Sequence, residues 1–547
     1  MENSIKRQSL ELGAIWLIGS AVLAKLIGAF FKIPLASDSC LGDLGFGFFS
    51  SFYDLLLPFW TLSISGFPVA IAHFIAKYEE KSDRLKITQV LKCSKSFLKA
   101  ICVLIVLLLI ALYFPISGAS YNDSNALLCF LAILPSALVS CAISYYRGYF
   151  EGYANMRPTA VSSLIEALGK LTLGYSFAYF TIKKTENFYL AAAASLFGIS
   201  IGTLLSCVYL HFHYRKYGGK EISFQIKQVN VDTALKRSII ALSLTATIAS
   251  LSSGIISLID TLSVRTVLDV SIKNNPDFYK ASFSGLLDNA DVFDLSTILY
   301  GIKSKAHTVF NIFLTIAMAI AVTAMPTLSK DTGPNKKVKA LNTVLRFTSL
   351  FTFPIAGGFI VIGKPIMSFL FGNGASSVVG GKILTIYGFA VIFAGFSIVL
   401  VSVIQAFGKH KFAFITIIFA SLIKLALNLS LCGVSKLNIY ACAFTTLFFY
   451  VILFIFQIFF IIKEGYFVSL KGVFLKPIFA ALLSSLTALL ISNFHNSSIT
   501  TLISVVIAAL VYFTILIVTR FFKRSDFQNF SFMTKFKNMF KKPKNLE

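Results

Sequence analysis

Tyr146-Arg147-Gly148-Tyr149-Phe150-Glu151-Gly152-Tyr153-Ala154-Asn155-Met156-Arg157-Pro158-Thr159-Ala160 is a short polar stretch set between two long apolar runs. Glycines punctuate it, and Pro158 stands where a new helix can begin, a position at which its missing N–H has no consequence. Gly152, Asn155 and Pro158 are therefore read as a hinge between two helices. Both flanking runs are of membrane length, and the same pattern repeats outward in each direction.

The chain has 547 residues, of which 56% are hydrophobic and 13% charged. Soluble domains carry about 25% charged residues. A membrane-spanning helix needs roughly 20 predominantly apolar residues. Fourteen such runs are present, at 9–34, 47–75, 97–116, 125–147, 159–182, 187–212, 236–266, 296–328, 343–363, 383–407, 411–432, 438–462, 474–492 and 498–520. The first begins among polar residues with no small-residue cleavage site behind it, so it is expected to remain as a span. The fold class is an all-α polytopic membrane protein with about fourteen spans.

A net charge of +25 could point to nucleic acid, but its distribution points to a bilayer. With the N-terminus on the inside and loops alternating, clusters such as Lys77/Lys81/Arg84/Lys86, Arg215/Lys216/Lys220 and Lys336/Lys337/Lys339 all fall on the cytoplasmic side. That is the positive-inside bias, and it places both termini in the cytoplasm of a bacterial cell. No polyanionic partner is needed to explain it. The eight cysteines are scattered without a C-x-x-C pair, the six histidines show no ligand spacing, and no phosphate-binding glycine loop is present. Neither a metal nor an organic cofactor is expected.

An internal repeat is legible at an offset of six spans. Leu57 to Ala70 in span 2 and Phe310 to Pro326 in span 8 both place small residues and a late proline before a basic loop. Gly152 precedes span 5 with Lys170, and Gly408 precedes span 11 with Lys424. An even offset keeps both halves in one orientation, which predicts two six-helix lobes about a pseudo-two-fold axis normal to the membrane. The expected domains are an N-lobe at 1–231, a C-lobe at 232–465, spans 13 and 14 at 466–520, and a basic tail at 521–547. In that tail Met533, Phe536 and Phe540 recur at helical spacing among lysines. It reads either as an amphipathic segment on the anionic leaflet or as an unstructured positive tail.

In wording and placement, Tyr146 to Ala160 resembles the loop between helices 4 and 5 of the MurJ and stage V sporulation protein B group of lipid flippases. That group belongs to the multidrug/oligosaccharidyl-lipid/polysaccharide exporter superfamily. Its members have fourteen helices, the last pair forming a lipid-facing groove, whereas the multidrug exporters have twelve. Lys25, in Ala24-Lys25-Leu26-Ile27-Gly28, matches the basic residue that the group carries in helix 1 and uses for its substrate. A second basic residue of the group falls about one and a half turns later. Here Phe30-Phe31-Lys32 makes Lys32 an offset substitute.

Ionisable residues inside spans cost about 2.5–3.5 kcal/mol on insertion scales, so each invites a functional reading. They are Lys25, Lys32, Asp54, Glu166, Lys170, Asp260, Arg265, Lys303, Lys305 and Lys424. Lys32, Arg265, Lys303 and Lys305 are open to a bland reading, in which long side chains snorkel to an interface. Glu166 and Lys170, spaced i, i+4, can neutralise each other. The surplus of bases suits a diphosphate cargo and suits a cationic drug poorly. Lys25, Lys32, Asp54, Glu166, Lys170 and Lys424 are the expected cavity charges. Some members of the group bind a cation between helices 7, 11 and 12. The resemblance makes Asp260, Asn428 and Thr446 the candidates for such a coupling site, for Na⁺ or H⁺. The competing reading is a structural Asp260–Arg265 pair.

These features imply a monomeric flippase that moves an undecaprenyl-diphosphate-linked saccharide to the outer leaflet. Lipid II, for peptidoglycan or spore cortex, is the favoured cargo, followed by a polysaccharide or teichoic unit. Membrane lipids are its other partners. A cation-coupled drug or metabolite antiporter of the same superfamily is the alternative. A membrane glycosyltransferase would use Asp269, Asp277, Asp288, Asp291 and Asp294 of the 7–8 loop, but no motif unites them, so an enzyme is not expected.

Overall fold

The computed structural model describes residues 8, 10–61, 66–120, 123–219, 232–284, 286–287, 292–328, 333–466, 468–469, 471–494 and 497–521. Seventeen helices follow in order: α1 (Leu10–Leu35), α2 (Gly42–Thr61), α3 (Phe67–Glu79), α4 (Arg84–Ser120), α5 (Asp123–Gly152), α6 (Arg157–Gly169), α7 (Tyr175–Thr185), α8 (Phe188–Tyr214), α9 (Thr233–Asn274), α10 (Pro276–Ser282), α11 (Val292–Leu328), α12 (Pro334–Phe371), α13 (Ala375–Ala406), α14 (His410–Leu431), α15 (Tyr440–Lys463), α16 (Lys476–Phe494) and α17 (Ser498–Val518). Among the described residues there is no strand. Helices satisfy every backbone group within the segment, which hydrocarbon demands.

All fourteen apolar runs lie on helices. Among the described residues, ten helices are long and apolar enough to cross a membrane: α4, α5, α8 and α11 to α17. The other four runs coincide with α1, with α9, with α2 followed by α3, and with α6 followed by α7. Span 5 carries a five-residue π-helical turn, Lys170–Gly174, between its α-helical halves. The basic tail falls outside the described residues, apart from Phe521.

The expected hinge is a tightly capped turn. Asn155 N–H donates to Phe150 O and Ala154 N–H donates to Glu151 O, both at 3.0 Å, the two bonds of a Schellman cap. Ala154 holds the left-handed position, with φ 55°. Pro158 lies in the first turn of α6, as expected. Gly152 serves packing, because a Cβ there would stand 2.6 Å from Cβ of Ile75. Gly148, one turn earlier, meets Ile71 in the same way at 2.7 Å. The pair lets α5 press against α3, a close helix contact that ends in the cap.

The same cap recurs before α14. Lys409 N–H donates to Ile404 O at 3.1 Å and Gly408 N–H to Gln405 O at 2.9 Å, with Gly408 at φ 79°. Lys170 and Lys424 stand at the same distance along the chain from Ala154 and Gly408 respectively. The residue equivalent to Gly408 is therefore Ala154, two places beyond Gly152.

Packing divides the chain into two units. Unit 1 comprises 1–309, 374–376 and 417–445. Within it α8 packs on α5, α6 and α7, and α9 packs on α2, α3 and α4. Unit 2 comprises 310–373, 377–416 and 446–547. Its apolar core includes Leu341, Leu345, Val399, Val403, Ile461, Ala480 and Tyr512. There α16 and α17 are fixed to α12: Tyr512 Oη donates to Leu350 O at 3.0 Å, and the Arg346 guanidinium bonds the carbonyl of Phe521. The other faces of α16 and α17 expose Leu482, Leu486, Leu502 and Leu510, a surface suited to lipid. In α12 the backbone leaves helical geometry at Ile362, three residues before Pro365, whose ring cannot continue the hydrogen-bond ladder. These units are defined by packing and do not coincide with the expected lobes 1–231 and 232–465, which rest on the repeat.

Candidate functional site

Three helices of unit 1 converge on one carboxylate. Asp260 of α9 is 1% exposed, and Lys424 and Asn428 of α14 are 0% exposed. The Lys303 ammonium, from α11, donates to Asp260 Oδ2 at 3.0 Å, and the Lys424 ammonium pairs with Oδ1. Asn428 Nδ2 donates to Asp260 Oδ1 and to Ser263 Oγ, each at 3.0 Å, while Asn428 Oδ1 accepts from the Thr445 hydroxyl. Helical periodicity explains the local arrangement, since Lys424 and Asn428 are i, i+4 and share one face.

Next to this cluster, Tyr300 Oη donates to Asp54 Oδ2 at 3.4 Å and lies 2.9 Å from the Thr261 hydroxyl. The Lys303 ammonium stands 5.1 Å from the Tyr300 ring centroid. Lys32 lies over the ring of Tyr53 at 4.6 Å, one residue before Asp54.

A second cluster lies at the π turn of span 5. Glu166 receives Lys170 Nζ at 3.0 Å on Oε1 and Arg147 Nη2 at 3.3 Å on Oε2. The Lys170 ammonium also sits 4.2 Å from the Trp60 ring centroid. Glycines bring the backbone in around it: a Cβ on Gly169 would meet Cα of Gly202 at 2.5 Å, and one on Gly198 would meet Leu173 O at 2.6 Å. Single π turns inside helices are frequent at functional sites.

Several expectations are met and others are corrected. The Glu166–Lys170 pair forms, and Arg147, overlooked as an intramembrane cation because it sits in the turn motif, completes it. Asp260 does not take Arg265 as its ion-pair partner; it takes Lys303 and Lys424, and Arg265 Nη2 donates to Thr297 Oγ1 at 3.3 Å. Lys303 and Lys305 do not snorkel, with side chains 2% and 0% exposed. Lys305 pairs with Asp43 at 2.6 Å. Lys424 does not line an open cavity but lies in the cluster interior. Thr446 is buried and belongs to unit 2, and its neighbour Thr445 supplies the hydroxyl to Asn428. Lys25 is exposed on α1.

The residues around Asp260 do not suit a bound coupling cation. Both carboxylate oxygens already hold ammonium groups, and Asn428 turns its NH₂ rather than its carbonyl toward them. A further cation about 4 Å from either ammonium would meet roughly 4 kcal/mol of repulsion at an effective dielectric near 20.

A family model described as polysaccharide biosynthesis protein matches residues 12–330. Another, described as lipid II flippase MurJ, matches residues 304–508. Three proteins of Bacillus subtilis (strain 168) are similar in sequence. The uncharacterized membrane protein YabM is 26% identical over 78% of this chain and 76% of its own length. The lipid II flippase MurJ is 24% identical over 75% of each. Stage V sporulation protein B is 26% identical over 43% of this chain and 47% of its own. Among solved structures, the inward closed conformation of lipid II flippase MurJ aligns with a TM-score of 0.65 over 93% of this chain and 99% of that one, at 16% identity. An inward-facing multidrug resistance MATE family transporter of the MOP superfamily aligns with a TM-score of 0.60 over 81% of this chain and 95% of that one, at 13% identity. Its sequence is thus similar to those of MurJ and stage V sporulation protein B and its fold to that of MurJ, and the chain belongs to the polysaccharide biosynthesis protein family.

Proposed function

We propose that the protein is a multi-pass flippase carrying an undecaprenyl-diphosphate-linked saccharide to the outer leaflet by alternating access. Lipid II is the favoured cargo, with a polysaccharide or teichoic unit next. The observation that carries this reading is electrostatic. Two buried acids are each held by two bases, Glu166 by Arg147 and Lys170 and Asp260 by Lys303 and Lys424, so each of these groups carries a surplus positive charge, while Asp54 accepts from the Tyr300 hydroxyl beside the second. Lys25, an exposed residue midway along α1, adds a further base. Such a charge is costly against lipid and stable in a water-filled path, where it can meet a diphosphate. A cation-carrying antiporter would want the opposite sign. The two six-helix lobes, one copy per functional unit, are the bodies that rock about this path.

Lys25→Ala is expected to abolish complementation of a flippase-depleted strain while membrane insertion stays normal. A hydrogen bond to a charged group is worth about 1.5–3 kcal/mol, roughly ten- to a hundredfold in cargo affinity. Growth at the wild-type rate on the alanine variant would remove Lys25 from the path.

We also propose that both termini are cytoplasmic, which follows from the basic loops. Single cysteines at Asp277 and Lys339, both exposed, test this once Cys102 and Cys207, the two partly exposed native cysteines, are replaced. An impermeant maleimide added to intact cells should label Asp277→Cys and spare Lys339→Cys. The reverse pattern would invert the orientation.

A further inference from the structure

The fourteen-helix resemblance raises a cation site at Asp260, and the structure gives that carboxylate two cations of its own. We infer that the Lys424 ammonium is a built-in counter-cation, occupying the place at Asp260 that a soluble monovalent cation would need, so that this protein binds no sodium there. Its lysines aside, the place offers oxygens of the kind a small cation takes, Asp260 Oδ1 and the Ser263 hydroxyl, both on α9 and both buried. Hard cations seek such oxygens. Here the ammonium arrives on a four-carbon stem anchored in α14, so it cannot diffuse away. Lys303 closes the other carboxylate oxygen at 3.0 Å. Asn428 is locked by three partners, its NH₂ toward Asp260 and Ser263 and its carbonyl toward Thr445. To present that carbonyl to a cation, the amide would have to give up all three bonds.

A tethered cation changes how the cycle can be driven. A dissociable ion couples transport to its own gradient by binding one lobe arrangement better than the other. A lysine on the scaffold has no bath concentration and supplies no such coupling, so the conformational equilibrium of α9, α11 and α14 is independent of external sodium. This inference concerns the carboxylate and its counter-ion and does not depend on the cargo, so it can fail while the flippase reading stands.

The test uses the purified full-length protein without lipid cargo. Thermal unfolding and ²²Na⁺ binding are measured in sodium, potassium and choline chloride at one ionic strength. Wild type should show no saturable ²²Na⁺ binding and the same Tm in all three salts. Lys424→Ala should unfold several degrees lower in choline chloride and recover part of the loss, saturably, with sodium, potassium or methylammonium. Lys424→Arg, which keeps the charge, should stay insensitive to salt identity. Saturable sodium binding by wild type would overturn the inference, as would a folded Lys424→Ala that no monovalent cation stabilises. Where Lys424→Ala yields no folded protein, the wild-type binding measurement decides the matter by itself.

Discussion

Asp260→Asn is expected to remove most folded protein from the membrane, the largest single effect at the candidate site. The substitution preserves shape and deletes the one negative charge that two buried ammonium groups share. Breaking a buried ion pair by removing one partner costs about 3–5 kcal/mol, because the other charge is left without compensation. Here two are left. Total stabilities of proteins are only about 5–15 kcal/mol, so the variant should be recovered in small amounts by fluorescence-detected gel filtration. Adding Lys424→Met should restore part of the yield, since the remaining Lys303 still lies over the Tyr300 ring. Adding Arg265→Gln should restore none. Equal rescue by Arg265→Gln would mean that the pairing seen at Asp260 is not the one that holds these helices together.

Gly301→Ala is expected to give the second largest loss, through packing alone. A Cβ at Gly301 would lie 2.1 Å from Asp43 O, and one at Gly47 would lie 2.0 Å from Thr297 O. The obstacles are backbone atoms, so no rotamer change relieves them and α2 must move away from α11. That separation also stretches the buried Lys305–Asp43 pair, which stands at 2.6 Å. Overpacking typically costs about 1–3 kcal/mol, occasionally more, and this contact belongs at the upper end. Gly301→Ala and Gly47→Ala should each lower Tm by several degrees. Their combined effect should fall short of the sum, because both act on one contact. Gly358→Ala, where a Cβ meets nothing within 4 Å, is the matched control and should leave Tm unchanged or slightly raised, since alanine is the better helix former. A Gly301→Ala protein with wild-type Tm would show that α2 and α11 do not need this close approach.

The fold was legible in the sequence because the bilayer leaves few options. Hydrocarbon forces unbroken apolar stretches into helices, so all fourteen runs could be placed. Local features followed for the same reason. Pro158 opens α6, Glu166 meets Lys170 one turn away, and a turn precedes each of the runs that carry Lys170 and Lys424. In each case the interacting atoms are a few residues apart, and helical geometry alone brings them together.

What the sequence could not supply is which helix faces which. Asp260 had a local partner in Arg265 and found distant ones in Lys303 and Lys424. Arg147 looked like part of a turn and proved to be the second base on Glu166. Lys303 and Lys305 had stems long enough to reach an interface and are instead sealed inside unit 1. Gly148 and Gly152 suggested flexibility and serve the approach of α3. Periodicity assigns a residue to a face of its helix, but a Coulomb pair or a glycine contact is fixed by the neighbouring face, and only the packing of helices far apart in sequence decides what that neighbour is.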